Sequence, residues 1–287
     1  MTEIAAPRRA SIAPRRIPWP IVPFAIMLAV LVAMTVFAPY VAPLDPNQQN
    51  LLARLKPPGH VARGVTYLLG SDELGRDVLS RVIYGARVSL SVAFASVVLS
   101  GIFGSLLGMV AAFYRGWIEI IIMRIVDIVL SIPAILLAII TVAVVGPSLY
   151  TVVIVLAFTR WPRYARVAYG QTLSVANMPY VRLSRFMGAG WPRLLGRHIL
   201  PNIAGPLIVV ATLEFGLMVL FEAGLSFLGL GVQPPTSSWG AMLSVGRNYV
   251  ATAWWIATFP GLALFLLVLS INLIGDYTRD RLDPRSR

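Results

Sequence analysis

Glu214 is a carboxylate set far from any cation in this sequence. It lies in an apolar run from residue 203 to 222, and no cation falls within one helical turn of it along the chain. At about 1.5 Å per helical residue it stands about 16 Å past Ile203, near mid-membrane if that run crosses one. An acid at such a depth is a functional candidate, because hydrocarbon offers it no partner. Two readings stay open for it: charge lining an aqueous route, or a hydrogen bond or ion pair to a neighbouring subunit. Arg124 and Asp127 are three residues apart on one helix face and read as a mutual pair. The residues of catalysis are scarce. There is no cysteine, and His60 and His198 are the only histidines. Neither HExxH nor GxSxG occurs, and Gly224, Ser226 and Gly229 miss the second pattern by one residue. Lys56, the sole lysine, precedes Pro57 and lacks the glycine frame of a Walker A loop. The chain therefore does not bind ATP by that chemistry, and an intramembrane hydrolase is disfavoured.

A second group of polar residues lies between Arg160 and Asn202. Pro179 can start a short helix that runs to Met187, and Gly188 can end it in the left-handed conformation. A second short helix is expected over residues 191–201. Two such helices suit docking into a groove on a partner protein, or lying on an anionic lipid surface. Periodicity alone leaves both open.

The elements that position these residues are membrane spans. Of the 287 residues 57% are hydrophobic and 13% charged, and the mean hydropathy is +0.78. A soluble domain carries about 25% charged residues. The expected division is a polar tail over 1–18, a first transmembrane helix within 19–41, and an external polar segment over 42–87. A five-helix core over 88–275 and a tail over 276–287 follow. Spans are expected near residues 21–38, 88–113, 118–145, 149–159 and onward, 203–222 and 254–274, with a polar loop at about 176–202. The basic start before the first span reads as a retained anchor's flank, since the apolar stretch exceeds a signal peptide's h-region. Gly104 and Gly108 stand in GxxxG spacing, and Pro133 is expected to kink the third span. The net charge is +12. Its cations gather in residues 1–18, at Arg115 and Arg124, between Arg160 and Arg197, and in the tail. Residues 42–87 and Arg247 hold fewer, so the richer side, with both termini, reads as cytoplasmic. This is a topology signal, without the aromatic-interleaved basic face of a nucleic-acid binder.

Three long stretches carry a resemblance. Residues 69–90 read LGSDELGRDVLSRVIYGARVSL, residues 222–243 read EAGLSFLGLGVQPPTSSWGAML, and the tail reads GDYTRDRLDP over 275–284. In this order they resemble the permeases of the dipeptide/oligopeptide/nickel family of ABC transporters, across roughly residues 20–285. The docking segment resembles the EAA loop of ABC importer permeases, with Gly188 and Arg197, His198, Ile199, Leu200, Pro201 and Asn202 in register. The E-A-A positions themselves read Arg182, Leu183 and Ser184, a base in place of the acid. The resemblance implies an all-α membrane protein of six transmembrane helices, with the type I ABC importer permease fold and a cytoplasmic coupling-helix loop. It implies ATPase coupling through Tyr180, Val181, Arg182, Leu183, Ser184, Arg185, Met187, Gly188, Ala189, Arg197, His198, Pro201 and Asn202. Asp127, Pro133, Glu214, Met218 and Glu222 are the candidates for a translocation pathway. It further implies a bacterial or archaeal plasma membrane, a second homologous permease, two cytoplasmic ATPases that bind ATP and Mg²⁺, and an extracytoplasmic substrate-binding protein. No cofactor or metal is expected in this chain. Peptide is the family's default substrate, with nickel or a modified peptide such as glutathione as alternatives. A secondary transporter is the reading from another class, disfavoured because no internal repeat is visible.

Overall fold

The computed structural model describes residues 19–62 and 64–282. The arginine-rich stretch over 1–18, Arg63, and the end of the tail with Arg285 and Arg287 lie outside the described residues. The chain begins with α1 (Val22–Val36), started by Pro23 in its first turn, and a short α2 (Ala38–Val41). The polar segment that follows is not wholly irregular or helical. It holds an antiparallel hairpin, β1 (His60–Ala62) and β2 (Val65–Tyr67), with His60 opposite Tyr67. The all-α expectation is corrected to that extent. β-branched Val61, Val65 and Thr66 suit a pleat, and Gly64 at φ +77° supplies the turn.

α3 (Val78–Tyr114) starts ten residues before the expected span. The cause is Asp77, whose carboxylate accepts from the Ser80 backbone N–H at 2.8 Å and from the Ser80 hydroxyl at 2.7 Å. That cap satisfies donors that would otherwise stand free at the helix start. Arg81 and Arg87 made the same turns look like loop in the sequence. The expected third span is two helices, α4 (Gly116–Ser131) and α5 (Ala134–Val145), meeting at 89°. Ile132 is extended at φ −93°, ψ 130°, as a residue before proline prefers, so Pro133 breaks the helix rather than bending it.

α6 (Leu149–Ala176) is capped by Ser148 and contains Pro162. A short α7 (Pro179–Phe186) is followed by α8 (Trp191–Arg193), a π turn over Leu194–Ile199, and α9 (Leu200–Phe227). The second loop helix expected over 191–201 therefore does not end at Pro201 but runs into the next span. Pro201 has no N–H to give, and the Leu200 N–H reaches back to the Leu195 carbonyl instead, which keeps the helix continuous. Last come α10 (Trp239–Gly246) and α11 (Trp255–Leu282), which carries helix through residues 276–282 of the expected tail.

Among the described residues four helical stretches are long and apolar enough to cross a membrane, and a fifth if the bent α4–α5 pair counts as one. Of the six spans expected from the sequence, the one on α6 does not meet that measure of length and composition, because α6 carries Arg160, Arg163 and Arg166. α6 lies along α3 at very close range. A Cβ at Gly104 would stand 2.2 Å from the Trp161 carbonyl oxygen, and one at Gly108 2.2 Å from that of Ala165. Small residues let two backbones meet where apolar burial gives helices no reason to associate in lipid. The main apolar core runs through α3, α6, α9 and α11, with Val92, Leu156, Met218 and Leu267 fully enclosed.

Candidate functional site

α7 stands apart from the apolar core at the end of α6. The Ala189 N–H donates to the Ser184 carbonyl at 3.1 Å and the Gly188 N–H to that of Arg185 at 3.0 Å, the paired bonds of a Schellman cap. The cap requires the left-handed residue that Gly188 supplies, at φ +85°. Val181 is buried against Leu194, Leu195 and Ile199, which seats α7 on the foot of α9. Tyr180, Leu183, Phe186 and Met187 are exposed, so the opposite face is an apolar surface. Ser184 and His198 approach to 3.4 Å, and the His198 ring lies 6.2 Å from that of Tyr180. Arg182 donates to the Asn177 side-chain oxygen at 3.0 Å, and Arg185 lies over Phe113 at 5.5 Å. Asn202 donates to the His198 carbonyl at 2.6 Å, while Arg197 and Pro201 lie exposed on the run into α9. The structure thus brings Tyr180, Val181, Ser184 and His198 together and leaves Arg197 and Pro201 out of that cluster.

Glu214 is buried, and its isolation along the chain is not isolation in space. Arg163 of α6 donates from Nη1 to Glu214 Oε1 at 3.0 Å, and Arg160 Nε lies 3.7 Å from Oε2. The Arg160 guanidinium also rests 4.2 Å from the centre of the Phe221 ring, a cation–π contact. No cation lies within one turn of Glu214 along the chain, and both partners come from another helix of the same chain, more than fifty residues away. Asp127 likewise pairs with Arg166, not with Arg124 as the spacing implied. The reason is that α4 lies against α6, which presents Arg166 to it. One turn on, the Tyr169 hydroxyl donates to Glu119. Arg163 is about 20 Å from the Ala176 end of α6, and Glu214 about 21 Å from the Leu200 end of α9. The two depths agree.

The other pathway candidates fall elsewhere. Pro133 is exposed at the α4–α5 break. Met218 and Glu222 are fully buried in the protein. Glu222 accepts from the Ser89 hydroxyl at 2.6 Å and the Ser226 hydroxyl at 2.7 Å, and so joins α9 to α3 away from the arginines. Arg160, Arg163, Arg166 and Tyr169 are members of the charge cluster that sequence reasoning missed. Their signal was the three-residue spacing of the arginines, which puts them on neighbouring turns of one helix. They had been read as charge of the cytoplasmic loop.

At the end of the helices opposite α7 the motif stretches meet. Asp72 accepts from the Leu74 and Arg76 N–H groups at 2.9 Å each and from Arg76 Nε at 2.6 Å, while Arg81 Nε lies 3.5 Å away. Arg76 also reaches Glu73 at 3.0 Å. Trp255 donates to the Ser71 carbonyl and Trp239 to that of Val82, at 3.0 and 2.9 Å. Burial pushes the Glu73 and Asp77 carboxyls above their ordinary ionisation range. This ionic knot fastens the start of α3 to α10 and α11.

Comparison with known proteins follows the same lines. Residues 104–287 match the family described as binding-protein-dependent transport system inner membrane component. Residues 24–58 match the N-terminal TM domain of oligopeptide transport permease C. The chain is 47% identical over 261 residues to the di/tripeptide transport system permease protein DppC of Pseudomonas aeruginosa, covering 91% of this chain and 86% of that one. It is 45% identical to the dipeptide transport system permease protein DppC of Escherichia coli, with 91% and 87% covered. Against a probable D,D-dipeptide transport system permease protein, DdpC of Escherichia coli, the identity is 42%, with 91% and 86% covered. Among solved structures it resembles a chain of the MetNI methionine ABC transporter in inward-facing conformations. The TM-score is 0.56 at 21% identity, over 70% of this chain and 96% of that one.

Proposed function

This chain belongs to the family of binding-protein-dependent transport system inner membrane components, and on that premise we propose that it is a permease subunit of an ATP-driven importer of peptides. The observation that carries the reading is the 47% identity, across nearly the whole chain, to a permease named for di- and tripeptide transport. Dipeptides are preferred over nickel or glutathione on the same ground, and the chain is a membrane protein of the bacterial inner membrane.

The geometry supports how such a subunit works. α6 serves as the sixth crossing, because Glu214 and Asp127 of this same chain meet its arginines and spare them contact with lipid. Both termini and α7 then face the cytoplasm, and the hairpin and ionic knot face outward. The exposed apolar face of α7 docks in a groove of a cytoplasmic ATPase that holds ATP and Mg²⁺. Two such ATPases, a second permease and an extracytoplasmic binding protein complete the assembly. This chain contributes no chemistry of its own. It positions the route and receives the stroke.

Gly188→Val tests the coupling. A Cβ at Gly188 would meet no atom within 4 Å, so the substitution acts through the backbone alone. The left-handed conformation costs a side-chain-bearing residue about 1–2 kcal/mol. The expected result in the assembled complex is peptide uptake reduced about ten-fold or more, with ATP hydrolysis no longer stimulated by the loaded binding protein. Unchanged uptake and stimulation would sink the coupling role of α7.

A further inference from the structure

The membrane-embedded charge cluster has a closed side and an open side. Glu214 is 1% exposed, whereas 54% of the Arg163 side chain is open. Arg166 and Asp127 are open to 57% and 51%. At this depth lipid is a poor surrounding for them, since an ion in hydrocarbon is costly unless it is paired or meets water. Nor is the charge balanced. Arg124, Arg160, Arg163 and Arg166 stand against Glu119, Asp127 and Glu214, an excess of one cation, and Glu119 also accepts from the Tyr169 hydroxyl. The open side is therefore cationic. This reverses the expectation from a lone Glu214, which would have drawn a peptide's ammonium group. Its charge is already neutralised by Arg160 and Arg163.

Only Nη1 of Arg163 is engaged by Glu214 among the described residues. The rest of the planar donor fork is available to a carboxylate, which it can take two bonds at a time. We propose that Arg163 receives the C-terminal carboxylate of the passing peptide and that Glu214 is its positioning residue. The inference rests on the peptide-permease reading above. The free carboxylate is a group that linear peptides share whatever their side chains, so one arginine serves a broad range of them. Glu214 also tempers the attraction. A guanidinium that already holds one carboxylate binds a second less tightly, and a transit site must release what it binds.

The test uses the purified complex with its own partner subunits, reconstituted in vesicles and supplied with saturating loaded binding protein. Uptake of dialanine is compared with uptake of its C-terminal amide. Arg163→Gln is expected to cut uptake of the free acid about ten-fold or more, with little further effect on the amide. Arg163→Lys should retain an intermediate rate, because it keeps the charge but not the fork. Glu214→Gln should narrow the free-acid preference without abolishing assembly. An equal loss for both substrates, or no loss for either, overturns the inference and leaves the peptide reading intact. Failure of Arg163→Gln to co-purify with the second permease also overturns it, by assigning the arginine to a subunit contact. Failure of the unaltered complex to import either substrate removes the peptide reading and this inference together.

Discussion

Alanine at Gly104 or Gly108 is expected to open the seam on which the transmembrane architecture depends. At Gly104 the new methyl would stand 2.2 Å from the Trp161 carbonyl oxygen and 2.8 Å from Tyr164 Cβ. At Gly108 it would stand 2.2 Å from the Ala165 carbonyl oxygen and 2.9 Å from Ala168 Cβ. Ordinary contact begins near 3.4 Å. The nearest obstacles are backbone atoms of α6, which cannot rotate aside, so the two helices must part by more than an ångström. Overpacking of this kind costs about 1–3 kcal/mol. Alanine's better helix propensity returns about 1 kcal/mol at most. A net loss of about 1–2 kcal/mol would lower the unfolding midpoint by about 2–4 °C per kcal/mol in a chain of this size. The two changes share one seam, so the double variant should lose less than the two single losses together. Gly101→Ala is the control, three residues away on the same helix. Its methyl would meet Tyr164 Cε1 at 3.4 Å, an ordinary contact. Thermal unfolding of the detergent-solubilised complex reads all four variants. Unchanged midpoints for Gly104→Ala and Gly108→Ala, or equal damage from Gly101→Ala, would refute the reasoning.

The outer knot and the topology can be checked in the same way. Asp72→Asn leaves Arg76 and Arg81 short of their shared carboxylate in a buried setting, and should cost about 3–5 kcal/mol, read as a lower midpoint and lower yield of complex. Glu73→Gln should cost less: burial raises this carboxyl's ionisation point, so its ionised form works against the fold as pH rises through the carboxylate range. The chain has no cysteine, so single cysteines report exposure without background. Thr66→Cys should react with an impermeant thiol reagent on intact cells and Ser174→Cys only after permeabilisation, and the opposite pattern would overturn the orientation.

What could be read from the sequence was what depends on neighbours along the chain. Pro179 and Gly188 bracket α7 because proline at a first turn and a left-handed glycine are local requirements. A disturbance of the helix at Pro133 was visible for the same reason, but it was expected as a kink, and the full break with its 89° angle was not. The GxxxG spacing announced a close approach but could not name α6 as the partner. Glu214 failed in an instructive way. Its surroundings were judged over one turn, while its ions arrive from a helix more than fifty residues earlier. Arg160, Arg163 and Arg166 were misplaced because charge in an otherwise apolar stretch looks like a membrane boundary until its counter-ions are known. The hairpin was hidden by its brevity, at three residues a strand.

The unbroken helical path from Trp191 to Phe227 has a mechanical meaning. A jointed connection would absorb a displacement in its loops, whereas a helix is stiff along its axis. α9 alone spans about 42 Å, with its foot clasped by Val181 of α7 and its far half bonded to α3 through Glu222 and Ser89. That is a lever with a fixed upper bearing. A tilt imposed at the foot is converted into sideways travel that shrinks towards the bearing, and Glu214, eight residues short of Glu222, would take roughly a third of it. The π turn over Leu194–Ile199 is the irregular part of this shaft, and its bending would set how much of a tilt at the foot reaches Arg160 and Arg163.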